Sequence, residues 1–257
     1  MARFAKFVLM TVSAPLALAA PALAQQAPAP QSAPVDAAPT EPAASAAPVV
    51  RDLTPDEIAA FNQAVTDFTA GQSAQQTGDN AAAVAKYDAA MPAIRTAVAA
   101  DPTKIDNVNF LANALYADAA AYGALGQMDK LIALYDESLP HWRTLVEAKP
   151  TDAASRNILA GILIQVGNEK LAASDTDGAD PYYQEALPLA RKSVSEQPAD
   201  AAAKNILLSA LIGASQTSME EGLRDEVIGM GKAMTADGSI DAANKPSIAA
   251  ITGANAG

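Results

Sequence analysis

Cysteine is absent from this 257-residue chain, and histidine occurs once, at His141. Without cysteine there is no disulfide staple, no thiolate metal site, no thiol nucleophile and no residue to carry a lipid anchor. One histidine makes neither a nucleophile triad nor a histidine metal cluster. Aromatic residues are only 5% of the chain and Trp142 is the one tryptophan. Strands favour aromatic and β-branched residues, so this shortage, beside the abundance of alanine, points to closely packed helices. Beyond the N-terminus no apolar run approaches the roughly 18 residues needed to cross a bilayer. Basic residues are scarce as well: 17 Lys and Arg stand against 29 Asp and Glu, a formal charge of −12. A surface that acidic repels phosphate backbones and argues against nucleic-acid partners, while favouring solubility and basic partners. No phosphate-binding glycine loop, His-Glu metal helix or spaced nucleophile–base–acid set is present. No catalytic residue, cofactor or metal site is therefore expected.

What is present begins with an export signal. Arg3 and Lys6 precede an apolar run at residues 7–20, and Ala22-Leu23-Ala24 offers a small-residue cleavage site, so residues 1–24 read as a signal peptide cut after Ala24. The absence of a twin-Arg pair points to the general secretory route and a periplasmic or secreted product. Cleavage would take the charge to −14. Residues 25–50 hold nine Ala and six Pro, with three Val as their only larger apolar residues. Such a segment buries too little to offset the entropy of ordering and reads as a disordered, semi-extended Ala/Pro linker.

From residue 51 the chain copies itself. Tyr87-Asp88-Ala89-Ala90-Met91-Pro92 returns as Tyr135-Asp136-Glu137-Ser138-Leu139-Pro140 and as Tyr183-Gln184-Glu185-Ala186-Leu187-Pro188, at steps of 48 residues. In step with it come Arg95, Arg143 and Arg191, then Val98, Val146 and Val194, then Pro102, Pro150 and Pro198. Seven residues after those last prolines stand Asn109-Phe110-Leu111, Asn157-Ile158-Leu159 and Asn205-Ile206-Leu207, and Asn62 follows Pro55 by the same seven. Equal spacing of this kind marks a stack of supersecondary units.

Each unit reads as two helices. Val108, Leu111, Ala112, Leu115, Ala119 and Tyr122 form one apolar stripe, and Leu131, Leu134, Tyr135, Ser138, Trp142 and Leu145 form another. Gly78 and Gly126 mark the turns between partners, and residues 175–178 (Asp-Thr-Asp-Gly) are expected to do so in the third unit. Pro102, Pro150 and Pro198 close units, with Asp152 and Asp200 as expected N-caps of the helices that follow. Pro92, Pro140 and Pro188 fall inside the second helices, where a proline removes a backbone hydrogen bond; a recurring bend is favoured over a split.

These residues resemble the tetratricopeptide repeat, a 34-residue helical hairpin. Gly71, Gly78, Ala83, Tyr87 and Ala90 fit its spacing; Gly126, Leu131, Tyr135 and Ser138 fit it in the second unit, and Ala179, Tyr183 and Ala186 in the third. The departure is length. Leu111 lies 15 residues before Gly126, where the family has eight, and Pro102 lies 12 after Ala90, where it has five. Each helix is thus longer by a heptad, which adds about two turns without rotating the buried face. The resemblance implies an all-α, right-handed superhelix of about four antiparallel hairpins, with units at about 55–101, 102–149, 150–197 and 198–236 inside a domain spanning 51–237. The fourth unit decays, with Thr235-Ala236 in place of Leu-Pro, which suggests a frayed or capping end and a flexible tail at 238–257.

By the same resemblance the first helices line a concave groove. Asn62, Asn109, Asn157 and Asn205 would face it, with Asn113, Gly161 and Ser209 one turn on and Tyr116, Ile164 and Ile212 beyond. An amide offers both donor and acceptor to a peptide backbone, which suits peptide or partner binding by Asn62, Asn109, Asn113, Tyr116, Asn157 and Asn205. It equally suits bonding to neighbouring backbone within the stack, and both readings stand. Arg95, Arg143 and Arg191 could grip an anionic ligand, but offsetting the helix macrodipole or pairing with a local acid, as Arg143 could with Glu147, is the favoured reading. His141 has Leu189 at the matching place and Trp142 has Ile94 and Ala190, so both are expected to pack, Trp142 filling a gap between hairpins. The expected function is an exported, non-catalytic scaffold holding a protein or peptide segment in its groove. The alternative is a carrier of a small or anionic ligand between the helices.

Overall fold

A computed structural model describes residues 50–253. The expected signal at 1–24 and the linker at 25–50, Val50 excepted, lie outside the described residues. Within them the chain forms nine α-helices and no strand: α1 (Pro55–Gln76), α2 (Asn80–Ala100), α3 (Ile105–Ala124), α4 (Met128–Ala148), α5 (Ala153–Ala172), α6 (Thr176–Glu196), α7 (Ala201–Thr217), α8 (Leu223–Ala236) and α9 (Lys245–Thr252). Helices α1 to α8 pair into four hairpins stacked in chain order, an all-α solenoid.

Local chemistry sets where each helix starts. Thr54 and Glu57 close a capping box ahead of Pro55, the threonine side chain accepting from the Glu57 N–H and the carboxylate accepting from the Thr54 N–H. Asp79, Asp175 and the two expected caps, Asp152 and Asp200, each accept backbone N–H groups of the turn that follows. The turns after α1 and α3 put Gly78 and Gly126 at φ +82° and +74°, where a side chain is disfavoured. In the third hairpin the same job falls to Ser174, at φ +63°, and not to residues 175–178. Asp175 there is a cap, and Gly178 belongs to α6, where an added Cβ would meet the Asp175 carboxylate at 2.1 Å.

The inner prolines do not split their helices: α2, α4 and α6 each run unbroken through Pro92, Pro140 and Pro188. All three prolines are exposed, as are Asp88, Asp136 and Gln184, whose carbonyls lose a donor, so water can satisfy what the ring removes. Thr96 and Thr144 lean back to donate to the Pro92 and Pro140 carbonyls at 2.9 and 3.0 Å.

Small residues let the hairpins close around tyrosine. A Cβ at Gly71 would lie 2.6 Å from the Tyr87 ring, and Cβ atoms at Gly167 and Gly213 would lie 2.9 and 2.0 Å from that of Tyr183. Tyr183 is therefore clamped between α5 and α7, which joins the third hairpin to the fourth. Phe110 meets Phe61 and Phe68 edge-on at 5.7 and 5.1 Å, which ties α3 to α1.

The end of the stack corrects one expectation. Up to residue 253 the segment after 237 is not a flexible tail: Ile240, Asn244 and Ile248 are buried and α9 seats Ile248 against Gly231 of α8. Helix α8 has 14 residues where α6 has 21, so the apolar surface it leaves is covered by the segment that follows.

Candidate binding face on the first helices

The asparagine column runs along α1, α3, α5 and α7 and is buried progressively. Asn62 is exposed, Asn109, Asn113 and Asn157 are half-buried, and Asn205 is 7% exposed. Asn113 donates to the Asn109 backbone carbonyl at 2.8 Å and to its side-chain oxygen at 3.1 Å, so these two amides order each other on one face of α3. Asn157 Oδ1 is buried without a hydrogen-bond partner. A buried amide oxygen left unpaired costs about 1–3 kcal/mol.

Asn205 is fully engaged, and by peptide backbone. Its Nδ2 donates to the Ser239 carbonyl at 2.8 Å and its Oδ1 accepts from the Asp241 N–H at 2.9 Å. One side chain thus reads both polar groups of a non-helical stretch, with Ile240 buried between them. Asn244 completes the contact, donating to the Asn205 carbonyl at 3.1 Å while its Oδ1 accepts from Ser209 Oγ at 2.9 Å. Asn205 is therefore occupied by the chain's own C-terminal segment and is not free for a partner. Residues 239–244 carry no repeat pattern, so nothing in the sequence marks them as the occupant of this site.

Tyr116 also departs from expectation. Its ring stacks on Tyr135 at 5.9 Å and meets Trp142 edge-on at 6.3 Å, so it turns into the hairpin toward α4, and burial pushes its phenol up to about 12. Ile164 and Ile212 at the matching places are buried too. Large apolar side chains at this position fill the core. Trp142 is 1% exposed and packs on α3 of its own hairpin. His141 is half-buried, and burial lowers its pKa.

The arginine column is structural, with partners other than the expected Glu147. Arg95 holds Glu137 through two bonds of 2.6 and 2.8 Å, Arg143 holds Glu185 at 2.8 and 2.7 Å, and Arg191 reaches Glu226 at 2.6 Å. Each pair ties one second helix to the next. A surface hollow of about 560 Å³ opens beside the middle pair, lined by Asp136, Leu139, Arg143, Pro181, Tyr182 and Glu185. Its one guanidinium is already neutralised, so it offers no free cation to an anion.

Two buried charges escaped the sequence reading. Arg156, 1% exposed, donates to Ser193 Oγ and the Pro150 carbonyl at 3.2 and 2.7 Å and pairs with Glu196, locking the start of α5 to the end of α6. Asp118, also 1% exposed, has no partner for either carboxyl oxygen. For Asp118 the available signal was a break in the repeat, with Val166 and Ala214 at its places; Arg156 has Val108 before it but another basic residue, Lys204, after it, so its signal was weaker. Among the described residues no group of three metal-ligating side chains converges, and no helix is long and apolar enough to cross a membrane. No known protein family and no curated protein matches the chain.

Proposed function

We propose that this chain is an exported, non-catalytic interaction module, a lengthened relative of the tetratricopeptide repeat, that holds an extended protein or peptide segment along its first helices. The observation that carries this reading is the grip of Asn205 on the backbone of Ser239 and Asp241. It is the chemistry expected of the column toward a partner. The same side chain in the preceding hairpin, Asn157, is half-buried and its covered Oδ1 has no hydrogen-bond partner within the chain. The open part of the column, Asn62, Asn109, Asn113 and Asn157, is the proposed contact. The partner would be recognised through its main chain, with basic side chains favoured by the net charge of −12. A signal cleaved after Ala24 and a periplasmic or secreted location belong to the same proposal.

The test is crosslinking of the exported protein in its native envelope, comparing the wild type with the double variant Asn109→Ala, Asn157→Ala. Each lost amide contact removes about 1 kcal/mol, so capture should weaken by roughly tenfold or more while helicity is kept. Equal capture by both proteins would rule out the column as the contact.

A further inference from the structure

Independently of any partner, the joint between the first and second hairpins carries an ionisable group that the packing does not explain. Asp118 and Tyr122 lie one turn apart on α3, and both face Asp88 of α2. The Tyr122 hydroxyl donates to one Asp88 oxygen at 2.8 Å. Asp118, one turn earlier on the same helix, is close enough for the charge of Asp88 to act on it, and both its oxygens stand buried and unpaired. The following hairpins bury Val166 and Ala214 at this place, so the stack has no structural demand for a carboxyl there. The surrounding groups are few. Helix α2 contributes Tyr87, whose hydroxyl is taken up by Gln75 of α1, and Arg95, which is held by Glu137 of α4; α4 also contributes Lys130. None of them donates a hydrogen bond to Asp118.

We propose that this joint is a proton-operated clasp: with a proton on Asp118 the carboxyl donates to Asp88 alongside Tyr122, and without it two neighbouring carboxylates oppose the contact of α2 with α3. In the closed form Asp88 accepts two hydrogen bonds from α3, one from each residue of a helical turn. Asp88 already lies at the surface, so in the open form it is the buried Asp118 carboxylate that must reach water, which loosens the contact of α3 with α2. The electrostatics agree. Burial pushes the Asp118 carboxyl up to about 7, the charge of Asp88 adds to the rise, and Arg95 and Lys130 oppose it. Because the folded joint holds the proton more tightly than an exposed carboxyl does, the closed form is favoured at low pH. Its advantage fades as pH climbs from the ordinary carboxylate range toward about 7 and is constant above it. The two flanking hairpins would then stand in one fixed relation in acid and a looser one at neutral pH.

Amide hydrogen exchange of the exported chain, corrected for intrinsic rates, tests this from pH 5 to pH 8. Amides of α2 and α3 should open at least about tenfold more readily at pH 7 than at pH 5, with little further change to pH 8. Asp118→Asn, which keeps a donor and cannot titrate, and Asp118→Val, which copies the next hairpin, should both flatten that profile while α5 to α7 exchange as in the wild type. A flat wild-type profile, or the same pH dependence in Asp118→Asn, would overturn the proposal.

Discussion

Arg143 holds both carboxylate oxygens of Glu185, 42 residues further on, through Nε at 2.8 Å and Nη2 at 2.7 Å. Arg95 and Glu137 repeat this pair at the same separation. From Arg191 to Glu226 the separation is 35, a heptad shorter. A heptad is about two turns, so the shorter fourth hairpin still presents its acid on the face that meets the arginine. The second helices are thereby laced together along one edge of the stack.

The side chains of Arg143 and Glu185 are 42% and 35% exposed, so solvent screens their attraction. Arg143→Ala should cost no more than about 1 kcal/mol, and less in high salt. A double-mutant cycle with Glu185→Ala, read by denaturant unfolding at two ionic strengths, checks both the size and the salt dependence.

Ser174 adopts the left-handed conformation that glycine supplies at 78 and 126. Such a residue carries a strain of about 1 kcal/mol. Ser174→Gly should therefore be neutral to stabilising by up to about 1 kcal/mol, whereas Gly126→Ser should destabilise by a similar amount. Thermal melts of the two variants should move in opposite directions or leave only the second shifted.

Gly213 leaves no room for a methyl group beside Tyr183, since a Cβ would fall 2.0 Å from the ring. Tyr183 is fully buried, so the ring cannot swing out to solvent. Gly213→Ala should cost about 1–3 kcal/mol through overpacking. The same change at Gly229, where nothing lies within 4 Å of the added atom, should be neutral or slightly stabilising.

Asn205 and Asn157 share a repeat position and should respond differently to alanine. Removing Asn205 strands the Ser239 carbonyl and the Asp241 N–H against α7, at a cost of about 1–3 kcal/mol. Asn157→Ala removes a buried oxygen that has no partner and should leave stability unchanged or raise it by up to about 1–3 kcal/mol. Unfolding curves of the two single variants decide this. Equal losses would mean that both amides are structural.

The repeat made the fold legible. Pro102, Pro150 and Pro198 fall between helices that end at Ala100, Ala148 and Glu196 and helices that begin at Ile105, Ala153 and Ala201. These boundaries follow from local chemistry, because a proline cannot continue a helix and an aspartate just after it can cap the next. Where local chemistry has two solutions, the sequence was silent. Ser174 could be found only by counting from Gly126, since serine itself carries no signal for a positive φ. The candidate site was legible in its column and not in its occupancy. Asn205 and Asn157 have the same sequence neighbourhood, and only the path of residues 239–244 distinguishes them. Asp118 hid inside an apolar stripe because a carboxyl one turn from Tyr122 reads as an exposed helix position until α2 is laid against it.

The most direct test of the binding proposal places a photo-crosslinking side chain at one position at a time in the exported protein within its native envelope. Positions 62, 109 and 157 lie on the first helices, and position 184, exposed on the second helix α6, serves as the control outside the column. One and the same partner segment crosslinked from the three first-helix positions and not from 184 is the expected result. Capture from 184 alone, or of unrelated species at each position, would contradict it.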